Sequence, residues 1–130
     1  MQPPDIITKE WDVMRPNLGF KKVFCEDGNE VVLFLSMDDS KCKQRPTETL
    51  CGIASKVTVL AIYDMWGYRT DLKVAHSFHD NSFVYRKGRT YAPTNGIWYW
   101  PTFRQAQSYW LNAGKEKNPT YEKLVKERNS

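Results

Sequence analysis

The chain has 130 residues with 19 Lys and Arg against 15 Asp and Glu, a formal charge of +4, which suits one domain large enough for its own core (1–130) without metal or disulfide staples. No apolar run approaches the length of a bilayer span, and residues 1–10 lack the basic flank and apolar run of a signal peptide, so a soluble, intracellular protein is expected. Cys25, Cys42 and Cys51 form an odd count without framework spacing, which fits free thiols in a reducing compartment and argues against a disulfide scaffold.

In chain order, residues 7–14 place Ile7, Trp11 and Met14 on one stripe, and a short helix is expected there, ended by Pro16; the structure of the whole 1–18 segment is left open. Residues 20–24 and 30–37 are β-rich runs separated by Glu26-Asp27-Gly28-Asn29, and Asp-Gly between such runs predicts a hairpin. Residues 38–50 are polar, hold Pro46 and show no periodicity, which predicts a loop. Residues 56–63, Lys-Val-Thr-Val-Leu-Ala-Ile-Tyr, alternate in the manner of a central strand. A turn at 64–67 and short strands at 72–77, 82–86 and 89–92 follow, then a last strand over 96–100. Thr102 with Gln105 three residues on reads as a helix cap, with Phe103, Ala106 and Trp110 on the buried face. A second helix opens at Asn118-Pro119, so that 116–130 is a C-terminal helix or tail. Strands first and helices last predict an α+β domain, an antiparallel sheet covered by C-terminal helices.

From residue 81 to 115 there is no Asp or Glu, while Arg86, Lys87, Arg89, Arg104 and Lys115 stand among nine of the 18 aromatic residues. Anions should be drawn to this window. Rings stack a base and guanidinium forks grip phosphate, so a nucleotide is the expected ligand. Core packing explains any single ring equally well, but not the missing carboxylates. Phe83 is the candidate for stacking; Asn95, in a Thr-Asn-Gly turn, has an amide that can pair with a base edge, although Asn before Gly is also a common turn residue. Arg86 and Arg104 are the phosphate candidates, with Lys56 and Arg89 behind them, and Trp98 and Trp100 supply further ring surface. Arg104 is near a helix N-terminus, where free N–H groups favour an anion.

Catalytic chemistry is not indicated. The chain has two histidines, His76 and His79, no Walker-type glycine loop and no Gly-x-Ser-x-Gly, and His79-Asp80 reads as a turn pair. Cys42 and Cys51 with His76 and His79 do not match the spacing of a zinc site. No cofactor or metal is expected, and the charge is not arranged as a stripe that follows a nucleic-acid backbone.

Residues 54–62 (Ala-Ser-Lys-Val-Thr-Val-Leu-Ala-Ile), residues 79–85 followed by Lys87-Gly88, and Gly96-Ile97 with three aromatics before a helix holding Ala106 and Tyr109 resemble the phage Thoeris anti-defence sponge family of the first type, and a related domain found with some pentapeptide-repeat proteins. The resemblance covers under half of the chain. It implies a non-enzymatic protein of the host cytoplasm, dimeric or higher, that binds cyclic ADP-ribose signals, or cyclic oligonucleotides, and withholds them from an immune effector. It makes Phe83 the counterpart of the family's base-stacking aromatic. Trp98 stands where the family usually has histidine, and Arg104 lies one place beyond its helical arginine. Two other readings stay open: an enzyme that cleaves such a signal with His79 oriented by Asp80, and a protein-binding inhibitor that uses Trp98, Tyr99 and Trp100 as anchors.

Overall fold

The structure, a computed structural model, describes residues 2–37, 42–44, 52–77, 83–94 and 96–113. Its frame is the expected hairpin. Strands β1 (Leu18–Phe24) and β2 (Glu30–Met37) pair antiparallel in continuous register from Leu18 opposite Ser36 to Phe24 opposite Glu30. The turn between them closes because Gly28 adopts φ 85°, a region that penalises a Cβ, and because Asp27 Oδ1 accepts the Asn29 N–H at 2.9 Å.

Strand β5 (Val57–Tyr63) pairs with the other edge of β2. Phe34 faces Ala61 but Leu35 faces Val59, so Leu60 is an extra residue, a bulge. The bulge changes which face the alternation serves. Val57, Val59 and Ile62 point to one core, while Ala61 and Tyr63 point to the other, with Leu60 packed against it.

The remaining short strands are β3 (Cys42–Gln44), β4 (Gly52–Ala54), β6 (Val74–His76), β7 (Val84–Arg86), β8 (Thr90–Tyr91) and β9 (Ile97–Tyr99). Six strands form one sheet in the order β7-β6-β1-β2-β5-β8, and three form a second in the order β3-β4-β9. β7 and β8 are opposite edges of the large sheet, yet only residues 87–89 separate them in sequence. So short a link spans about 14 Å at most, and the sheet must therefore curl until its edges approach. Within the curl lie Val23, Leu33, Leu35, Val59, Ile62, Ala75 and Tyr85, all buried.

The small sheet is fastened to β1 at Trp100: Phe20 N–H donates to Trp100 O at 2.8 Å, and Trp100 N–H to Phe20 O at 2.7 Å. Helix α1 (Phe103–Ala113) then covers the convex face of the large sheet. There Phe20 stacks on Phe34 at 5.0 Å between ring centroids, and Phe103 meets Phe20 edge-on at 5.9 Å. The helix starts where expected. Gln105 N–H donates to Thr102 Oγ1 at 3.2 Å, and the Thr102 hydroxyl donates to Gln105 Oε1 at 2.9 Å. The glutamine thus reaches the hydroxyl and leaves the Thr102 N–H out of the cap.

The antiparallel α+β class stands, with one helix among the described residues. The expected helix over 7–14 does not form: a single turn at Thr8, whose carbonyl accepts from Trp11 and Asp12, is all that remains. Ile7 and Trp11 are instead spent as a strap over the convex face, anchored by Ile7 N–H to Gly67 O at 2.8 Å and by the Tyr63 hydroxyl to Pro4 O at 2.6 Å. Met14 is exposed, so the three residues do not share a buried stripe. The expected loop over 38–50 contains β3, an edge strand whose Cys-Lys-Gln sequence has no apolar alternation and which is held by pairing with β4. Trp110's side chain and the second helix expected from Asn118 lie outside the described residues. Among the described residues no helix is long and apolar enough to cross a membrane.

Candidate functional site at the seam of the curled sheet

On β7, the odd-numbered residues bond to β6: Ser77 N–H donates to Phe83 O at 3.1 Å and Lys87 N–H to Lys73 O at 2.9 Å. The even-numbered residues therefore turn their backbone groups away from β6, toward the seam. There Arg86 N–H donates to the Tyr91 hydroxyl at 2.7 Å, and Arg86 O accepts from Arg89 N–H at 3.1 Å. The turn over 86–89 is docked on the bulged strand by Gly88 N–H to Val59 O at 2.8 Å and Val59 N–H to Arg89 O at 3.0 Å. Gly88 takes φ 86° to make it.

Three rings fill the seam. Phe83 lies 4.8 Å from Tyr85 and 5.4 Å from Tyr91, and Tyr85 meets Tyr91 edge-on at 5.4 Å. Lys73, Arg86, Lys87 and Arg89, which border the seam, are all exposed. Among the described residues the ion pairs are Lys22 with Glu30 and Arg69 with Asp5, so none of these four cations is spent on a carboxylate. Lys56, also exposed, precedes Val57, which pairs with Tyr91 and so borders the same seam.

The structure therefore gathers Phe83, Arg86, Arg89 and Lys56 and adds Lys73, which sequence reading missed because it lies outside the acid-free window. It separates Arg104 from them. Arg104 is on the first turn of α1, next to Phe103, which packs on Phe20; Arg86 lies two strands away, past the Phe24 end of β1. From Phe20 to Phe24 alone is about 13 Å of strand. The anion expected at the helix N-terminus is also present in the chain itself, since Asp12 Oδ1 accepts the Arg104 N–H at 3.2 Å.

Trp100 is 2% exposed and belongs to the convex-face core, so its ring offers no face to a ligand. Trp98, 42% exposed, presents its ring to solvent, while its carbonyl accepts the buried Lys21 Nζ at 2.9 Å. Tyr99 is buried in the inner core. Of the three adjacent aromatics only Trp98 is thus placed to touch a partner. Asn95, His79 and Asp80 lie outside the described residues.

A concavity of about 580 Å³ opens elsewhere, between the β1–β2 turn and the β5–β6 loop, lined by Asp27, Glu30, Asp64, Met65, Trp66 and Leu72 among others. Its carboxylates carry the wrong sign for phosphate, and they already serve the fold: Asp64 Oδ1 accepts from Trp66 N–H and Tyr68 N–H at 2.9 Å each, and Glu30 pairs with Lys22 at 3.0 Å. Cys25, on its wall, donates its S–H to Asp27 Oδ1 at 2.6 Å. Burial first, and then the Asp27 carboxylate, push this thiol from 9.0 to about 11.

An alkaline weakness follows. The unfolded thiol ionises near 9 whereas the folded one keeps its proton to about 11, so over that interval the unfolded chain binds fewer protons and stability falls as pH rises. Tyr63, pushed by burial from 10.0 to about 12 despite Arg69, extends the loss in the same direction. Denaturant midpoints should drop between pH 9 and 11, and Cys25→Ala should flatten the first part of that drop; an unchanged slope would remove Cys25 as its source.

No protein-family model, curated protein or solved structure matches the chain.

Proposed function

We propose that the protein is a non-catalytic sponge that binds a cyclic ADP-ribose-type or cyclic nucleotide signal at the β7–β8 seam and withholds it intact from a host effector. The reading rests on one observation above all: among the described residues Lys73, Arg86, Lys87 and Arg89 have no carboxylate partner, and they border the seam that holds the Phe83, Tyr85 and Tyr91 rings. The guanidinium forks would take the phosphates bidentately and the exposed part of Phe83 would take the base. Sequestration needs tight binding and no turnover, so rings and cations suffice without a nucleophile or general base.

Calorimetric titration with cyclic ADP-ribose tests the placement. Phe83→Ala should weaken binding by about 1–3 kcal/mol, and Arg86→Lys by about 1.5–3 kcal/mol, since an ammonium cannot reproduce a directed two-point contact. Arg104→Lys should bind as the wild type does. Equal losses at Arg86 and Arg104 would contradict the seam as the phosphate site.

A homodimer or larger assembly goes with this reading. Ile6, Trp66 and Tyr68 are exposed, Trp66 to 79%, and Ile6 bridges to Tyr68, which joins them in one surface on the β5–β6 loop and the strap. Such a surface suits a second copy or a protein partner better than the buried Tyr99 and Trp100 do. Light scattering should give at least twice the mass of one chain, reduced by Trp66→Ser; a single-chain mass over a broad concentration range would remove self-association.

A further inference from the structure

We propose that Tyr91 is the positioning residue of the seam, acting through Arg86; this rests on the reading of the seam as an anion site. An edge strand has a row of backbone groups that need partners. β7 and β8 are both edges, and they are not paired with each other in the sheet order. At the place where a ladder bond between them would fall, the Tyr91 hydroxyl accepts the Arg86 N–H at 2.7 Å. A side chain from one edge thus replaces the missing ladder bond to the other.

Tyr91 is itself fixed at both ends. Its backbone is held on β5 by the pairing with Val57, and its ring packs on Phe83 at 5.4 Å and on Tyr85 at 5.4 Å. One residue therefore sets the position of the Arg86 backbone, and with it the origin of the guanidinium, relative to the β5–β8 edge, where Lys56 stands. A phosphate group held by cations of both edges loses affinity when the two edges drift apart. The Arg86–Tyr91 contact is exposed, so water can replace the lost hydroxyl, and the fold should survive its removal.

The experiment uses Tyr91→Phe, which keeps the ring and removes only the oxygen, with pyrophosphate as a phosphate-only probe and cyclic ADP-ribose as the probe of the sponge reading. The Arg86 amide should exchange its hydrogen faster in Tyr91→Phe than in wild type while the thermal midpoint stays nearly unchanged, and both probes should bind about three- to tenfold more weakly, the worth of one net hydrogen bond. In an Arg86→Gln background the same change should add nothing, because Tyr91 acts through Arg86; a role in general packing would add its loss again. Undiminished pyrophosphate affinity with unchanged Arg86 exchange, or full additivity in the double mutant, overturns the inference. Wild-type protein that binds pyrophosphate but not cyclic ADP-ribose overturns the sponge reading and leaves the Tyr91 comparison to be read on pyrophosphate. Wild-type protein that binds neither overturns both.

Discussion

Tyr99→Ala is expected to destabilise the protein by about 3–5 kcal/mol, the range for deleting a buried aromatic from a core. Tyr99 is buried where the two sheets meet, and its ring lies over two glycines. A Cβ built on Gly19 would stand 2.6 Å from Tyr99 Cδ2, and one on Gly52 would stand 2.5 Å from Tyr99 Cζ. Neither glycine has an unusual φ; what each supplies is the space for the ring. Gly19→Ala and Gly52→Ala should therefore cost about 1–3 kcal/mol each by overpacking. In a Tyr99→Ala background those costs should largely vanish, because the clashing ring is gone. Denaturant unfolding of the wild type and the five variants checks the two cycles, and simple additivity would show that the ring does not set the spacing of the sheets.

The second large effect concerns a charge inside the fold. Lys22 is buried on β1 beneath α1, where its Nζ pairs with Glu30 Oε2 at 3.0 Å and donates to Gln107 O at 3.2 Å. Gln107 in turn donates to Met65 O, so the lysine sits at the junction of the hairpin, the helix and the β5–β6 loop. Removing Glu30 leaves a buried cation whose remaining partner among the described residues is a carbonyl. Glu30→Ala should cost about 3 kcal/mol, the lower end of the range for breaking a buried pair, since the carboxylate is partly exposed and the carbonyl remains. Lys22→Met removes the buried charge together with its desolvation cost and leaves a carboxylate that water can reach. It should cost less than Glu30→Ala. The opposite order in denaturant unfolding would mean that the cation is hydrated in the folded state.

The parts of the fold that the sequence made legible are those fixed by local chemistry. Asp27-Gly28 placed the hairpin, the alternation of residues 56–63 placed β5, and Thr102 with Gln105 placed the helix start. What was not legible depends on distant contacts. The residues of the strap, Ile7 and Trp11, have helical spacing, but the convex face of the sheet offers them more burial than a short isolated helix could. β3 has no pattern of its own and exists through its pairing with β4.

The site divides in the same way. Arg86, Lys87 and Arg89 could be read as a group because they are neighbours in sequence, and the turn that holds them was expected. Arg104 belongs to the same acid-free window, yet linear proximity does not survive the path through β9 and into α1, and Asp12 supplies an anion at the helix start. Lys73 carries no such signal, because strand pairing, not sequence, brings it beside Lys87. Lys21 and Lys22, consecutive cations in an otherwise apolar strand, were the one visible sign that β1 buries charge.

Sequestration without chemistry is tested most directly by recovering the ligand. Protein in excess is incubated with cyclic ADP-ribose, the unbound nucleotide is measured by filtration, and the complex is then heated to denature the protein and the released nucleotide identified by mass and retention time. Depletion of free ligand, followed by its full return unchanged after heating, is the expected result. Return of a linear or otherwise altered product, or no depletion at protein concentrations far above that of the ligand, would contradict it.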